Sequence, residues 1–196
     1  MNLWREIPSH PDAPNVVYVV VEIPKGSRNK YEFDKNLGAI RIDRVLYTSM
    51  VYPGDYGFVP QTMYDDGDPL DIFVMTNEPT FPGCIIPARP IGLFRMKDKG
   101  EPDDKILAVP VGDPFYRDYH DIGDIPQHFL AECGHFFAVY KDLEGVYVKT
   151  LGWERAASAK ERIEYGMKEY KKFLAGEKRT RKPRKGTKTA KKGLTA

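Results

Sequence analysis

Cysteine is scarce in this chain, with two in 196 residues. Cys84 and Cys133 show neither metal-ligand nor redox spacing, and both fall among apolar neighbours. That pattern predicts buried free thiols in a reducing cytoplasm. Long apolar runs are missing as well. The longest, residues 16–21, is far too short to span a bilayer, so no membrane partner is expected. The first residues, Met1-Asn2-Leu3-Trp4-Arg5-Glu6, lack the basic, apolar and small-residue zones of a secretion signal. No Walker-type Gly-rich loop, Ser-His-Asp set, HExxH or CxxC occurs. Nucleotide kinases, serine hydrolases and zinc enzymes therefore lose ground.

What is present suits one globular domain, with 41% apolar and 12% aromatic residues. Sixteen prolines and seventeen glycines, scattered along the chain, favour short strands joined by turns. The net charge of +2 conceals an asymmetry. Nine of the thirty basic residues lie in 178–196, which holds no acid, so 21 basic residues face 28 acidic ones in the rest, a charge of −7. Residues 1–176 read as the folded domain and 177–196 as a basic tail with little to bury, expected to be disordered.

Strands are predicted over 15–23, 30–33, 39–46 (Ile40 and Ile42 inward) and 72–75. Residues 84–96 form one long or two bent strands, 96–105 a polar hairpin-like loop, and 106–111 and 146–151 further strands. Residues 52–58 read as an aromatic loop. Asp124 reads as the N-cap of a short helix over about 125–140, whose stripe is Phe129, Cys133, Phe136 and Tyr140. From Glu154 to Ala175 the period turns helical, through Ala156, Ala159, Ile163, Met167, Tyr170 and Leu174, with Gly176 as the C′ residue. Many short strands and then a long helix predict a mainly β, barrel-like core with that helix on its flank.

One stretch stands apart: Asp65-Asp66-Gly67-Asp68-Pro69-Leu70-Asp71 has four carboxylates in seven residues. At ~5 Å and an effective dielectric of ~20, each like-charged pair costs about 3 kcal/mol, so cations must offset them. Gly67 and Pro69 make a turn on which Asp66, Asp68 and Asp71 can converge. Oxygen-only donors suit magnesium, manganese or calcium rather than zinc. An EF-hand is excluded, because the twelfth residue from Asp66 is Asn77 instead of a glutamate and a strand follows.

Other charged or phenolic residues fit solvated loops or strand edges when taken singly. Together Glu22, Lys30, Glu32, Arg44, Tyr52, Tyr56, Asp98, Asp103, Lys105, Tyr140 and Lys141 supply metal ligands, fixed cations and phenolic donors. That inventory is what a multiply charged phosphate substrate requires.

In order along the chain, EIP at 22–24, KYE at 30–32, DR at 43–44, YPGDYGF at 52–58, DGDPLD at 66–71, the Asp98/Asp103/Lys105 loop and HFFAVYKDLE at 135–144 resemble the soluble, magnesium-dependent inorganic pyrophosphatases of the β-barrel family. The resemblance covers roughly residues 10–175. It implies a five-stranded, oligonucleotide-binding-type closed barrel with a short helix and a long C-terminal one, hydrolysing pyrophosphate to two phosphates with several Mg2+ ions, or Mn2+ or other divalent cations in their place. It implies that Asp66, Asp71 and Asp103 hold the first metal and that Asp71 is shared by the second. Asp98 and Asp103 would take metal arriving with substrate, with Glu32 joining through water. Lys30, Arg44, Tyr140 and Lys141 would grip phosphate oxygens, Lys105 nearby; Tyr56 would steady the site and Asp68 would be the general base. Glu22 and Tyr52 would line it. It also suggests a homohexamer. The competing reading is a nucleic-acid-binding barrel acting through its basic tail, opposed by the −7 of the rest.

Overall fold

The computed structural model describes residues 1–180. Five strands close a ring: β1 (Val17–Ile23), β4 (Asp55–Val59), β5 (Leu70–Val74), β8 (Lys105–Pro110) and β6 (Ile85–Asp98) pair in that order, and β6 returns to β1. All the pairings are antiparallel except the parallel β5–β8. β7 (Glu101–Pro102) and β9 (Val148–Arg155) add to β6 outside the ring, and β2 (Asn29–Asp34) with β3 (Ala39–Val45) forms a separate hairpin. The five-stranded barrel expected from the resemblance is what the chain folds into.

Ring strands are buried on both faces, so they read as continuous apolar runs rather than alternating ones. On β5, Phe73 joins an aromatic cluster with Tyr52, Tyr56, Phe94, Phe136 and Phe137, while Ile72 and Val74 join an aliphatic one with Val19, Val21, Ile106 and Ala108. The first cluster packs α1 (Gln127–Val139); Ala159 and Ile163 of α2 (Ala156–Thr180) enter the second. Gly57 is required where β4 crosses β1, since a Cβ there would lie 1.9 Å from the Val20 carbonyl oxygen.

The stretch expected over 84–96 is one strand, β6, which starts at Ile85 and runs on to Asp98, and the loop after it is a hairpin through β7. Both predicted helical stripes are buried or half-buried. Several expectations need correction. Residues 55–59 are strand β4, because Tyr56 and Phe58 find ladder partners on both sides. Asp124 does not cap α1, which starts after Pro126; its carboxylate instead accepts from the His120 and Asp121 amides. Glu154 and Arg155 stay in β9, paired with Leu93 and Gly92, and α2 begins at Ala156. Gly176 does not end α2, which continues to Thr180, four residues into the segment read as tail. Residues 181–196 lie outside the described residues. Ile42 is half-exposed because β2–β3 projects from the ring. The cysteines are free, Cys133 buried and Cys84 only partly. No described helix is long and apolar enough to cross a membrane.

Candidate active site

Strand register builds the site. The parallel pairing Ile72↔Ile106 sets the preceding residues, Asp71 and Lys105, side by side at one rim of the barrel. There the Lys105 ammonium, almost fully buried, bonds both Asp71 and Asp103. Burial disfavours its charge, yet these two carboxylates outweigh that and lift its pKa above the ordinary lysine value. A lysine buried like this stays charged.

The cleft over this rim has a volume of about 630 Å³. Its wall includes Glu22, Lys30, Glu32, Tyr56, Asp66, Asp68, Asp71, Asp98, Asp103, Lys105, Tyr140 and Lys141, so twelve of the fourteen predicted residues meet in one place. Lys30 bonds Glu32, two residues on in β2. Lys141 bonds Asp98 at 2.6 Å, and burial is again outweighed, by Tyr140 and Asp98, so its pKa is raised. Tyr56 is buried, its hydroxyl pKa pushed well up by burial and then by Asp71 and Asp103. Glu22 is 9% exposed and accepts the Phe33 amide at 2.6 Å. Burial is the main reason its pKa is pushed up to about 8, with Asp71 adding to it and Phe33 and Lys30 opposing.

Two predicted residues stand off the wall. Arg44 makes a bidentate pair with Glu144, at 3.0 and 2.7 Å, and also bonds Asp43. Tyr52 lies behind Tyr56, ring centroids 5.5 Å apart, against Phe136. The convergence expected of Asp66, Asp68 and Asp71 is also looser than a single point. Asp66 accepts the Asp68 amide at 2.9 Å, while the Asp68 side chain turns to Lys35 and Asp71 to Lys105. Like charges on a short turn separate, each toward its own cation. Among the described residues no three acidic, histidine or cysteine side chains gather closely around one point.

Lys35 is the residue sequence reasoning missed most clearly. It comes from the turn between β2 and β3, bonds the Asp68 carboxylate and the Gly67 carbonyl, and lies over the Trp4 ring. No spacing signal links residues 35 and 68. Gly67, at φ +85°, lets the turn present both aspartates to the cleft.

The donor set fits divalent cations. Of the ten acidic side chains that line the cleft, eight remain once the protonated Glu22 and the ion-paired Asp104 are set aside, against six lysines and arginines. Among the described residues the buried Asp98 Oδ1 atom has no hydrogen-bond partner. Burial, and the proximity of Asp68, Asp71 and Asp103, raise the pKa of Asp66, although the Asp68 amide opposes them. Surplus, oxygen-only negative charge of this kind calls for hard cations.

A family model described as inorganic pyrophosphatase matches residues 19–171. The inorganic pyrophosphatase of Haloferax volcanii is 52% identical over 176 residues, covering 89% of this chain and 99% of its own. That of Nostoc is 51% identical over 171 residues, 87% of this chain and 100% of its own. The crystal structure of the Thermus thermophilus inorganic pyrophosphatase superposes with a TM-score of 0.84 at 42% identity, over 87% of this chain and 99% of that one. With the ring of strands and the acid-rich cleft already in view, these matches agree on one answer: the chain belongs to the inorganic pyrophosphatase family and is a hydrolase of pyrophosphate.

Proposed function

We propose that Asp68 is the general base that takes a proton from the water attacking pyrophosphate. Asp66, Asp71 and Asp103 would hold a first divalent cation, with Asp71 shared by a second; Asp98, Asp103 and, through water, Glu32 would receive cations arriving with substrate. Magnesium is the proposed ion because the donors are all hard oxygens, and manganese can replace it. Such cations supply Lewis acidity towards water and neutralise charge on the phosphates.

The protein's own groups do the rest. Lys30, Lys141 and the Tyr140 hydroxyl bind phosphate oxygens, and Lys105 fixes the spacing of Asp71 and Asp103 beneath them. Arg44 stabilises the departing phosphate once its guanidinium turns from Glu144. Tyr56, kept un-ionised, braces Asp71 without adding negative charge. Lys35 holds the Asp68 carboxylate towards the cleft. The observation that carries this reading is the acid surplus of the cleft wall.

We extend the same reading to a cytoplasmic homo-oligomer, with the hexamer as the expected form and 181–196 as an extension outside the catalytic domain. Free thiols support the reducing compartment, and sedimentation velocity checks the assembly. The role of Asp68 is tested by Asp68→Asn. Turnover should fall by roughly 10²–10⁴, the usual size of a general-base contribution, while manganese binding stays near wild type. A variant turning over at the normal rate removes Asp68 from the role.

A further inference from the structure

At the edge of the cleft, Asp104 and Tyr64 belong to a second charged cluster that the proposed reaction does not use. In the extended chain leading into β8, successive side chains point to opposite sides. Asp103 and Lys105 meet in the cleft, while Asp104 points the other way, towards α2. It is 2% exposed. Its carboxylate accepts from Arg162 of α2 at 2.9 Å, from Arg95 of β6 at 3.0 Å and from the Tyr64 hydroxyl at 3.0 Å.

Tyr64 in turn closes the acidic turn. Its amide donates to the Asp68 carbonyl at 2.7 Å and its carbonyl accepts from the Gly67 amide at 3.1 Å. The Arg162 guanidinium lies over the rings of Tyr64 and Tyr165, 5.1 and 5.7 Å from their centroids, and the Tyr165 hydroxyl donates to Asp65 at 2.5 Å. One turn further on, the Gly166 carbonyl accepts the Met63 amide at 2.9 Å, and a Cβ on Gly166 would crowd Thr62 at 3.2 Å. One face of α2 thus grips both segments that carry the proposed cation ligands: 62–68, which includes Asp66, and Asp104, which lies between Asp103 and Lys105.

We infer that Arg162, Asp104 and Tyr64 are positioning residues: they link α2 to the two ligand-bearing segments and set how closely Asp66 and Asp103 approach, and hence the affinity for divalent cations. This rests on the reading that Asp66, Asp71 and Asp103 hold those cations. Among the described residues, the Arg162, Asp104 and Tyr64 side chains bond one another and Arg95 rather than Asp66, Asp71 or Asp103, so their effect on cation affinity passes through the segments that carry those ligands.

The test is manganese binding to the substrate-free full chain by titration calorimetry, beside thermal unfolding in chelator and turnover at saturating metal. Arg162→Ala should weaken manganese binding about tenfold, with turnover at saturating metal within about threefold of wild type, and Arg162→Lys should recover part of the loss. Tyr64→Phe, which removes one hydroxyl and keeps the fold, should weaken binding about threefold. Lys160→Ala, which cuts the bond from α2 to Asn15 away from the cleft, should leave binding unchanged. If Arg162→Ala and Tyr64→Phe bind manganese within twofold of wild type, whether or not unfolding shifts, the cluster is scaffolding only and the inference is overturned. If Asp71→Asn binds manganese as tightly as wild type, the cation-site reading itself fails and takes the inference with it.

Discussion

Asp103 and Asp104 are neighbours in the chain and opposites in their surroundings. Asp104 is buried and met by two guanidinium groups and a phenol, so its charge is matched. Asp103 shares a single lysine with Asp71, in a cleft where acids outnumber cations. The matched cluster resembles an ordinary structural ion-pair network, whereas the unmatched one holds charge that only a ligand can offset. Crowded acids alone do not mark a site; the missing counter-charge does.

The contrast can be broken most forcefully at Asp68, where the asparagine substitution should cost two to four orders of magnitude in turnover while stability barely moves. Next comes Lys105→Met, which leaves Asp71 and Asp103 without their shared cation. In chelator this should destabilise the fold by about 3 kcal/mol, the cost of breaking a buried pair, and magnesium should restore much of it. Denaturant unfolding with and without the metal reads both effects. If the metal-free variant is as stable as wild type, the cleft does not depend on that lysine.

Glu22 sharpens the comparison through pH. Its carboxyl stays protonated in the fold up to about pH 8 and ionises near 4.5 when unfolded. Between those values the unfolded chain binds fewer protons, so this group's contribution to stability is complete below pH 4.5 and is lost as pH rises to about 8. In chelator, Glu22→Gln should flatten that decline, gaining about 4 kcal/mol over wild type at pH 8. Parallel stability-pH curves for the two proteins would contradict the assignment. The smallest effect belongs to Arg41→Ala. Its pairs with Asp34 and Glu32 are solvent-exposed, so stability should change by under ~1 kcal/mol, and denaturant midpoints check this.

The acids, the lysines and the barrel were legible in the sequence because ligand-rich turns and apolar strands are local patterns. Helix α2 was visible from its stripe, but its start was not. Glu154 and Arg155 fit a helix by period, and only the ladder to β6 keeps them extended. The β4 strand was hidden by Pro53 and Gly54, which read as loop. Nothing local could show that Lys35 meets Asp68, or that Arg162 meets Asp104 from 58 residues away, since long-range ion pairs leave no spacing signal. Arg44 shows the converse: its motif was recognisable, while its bidentate pair with Glu144 was not.

The most direct test of the unmatched cleft is phosphate release from pyrophosphate, followed as magnesium is raised from chelator excess, for wild type and Asp71→Asn. The account predicts no release without the ion, a saturable rise with it, and a curve for the variant displaced at least tenfold to higher magnesium. Release in chelator at the full rate, or superimposable curves for the two proteins, would contradict it.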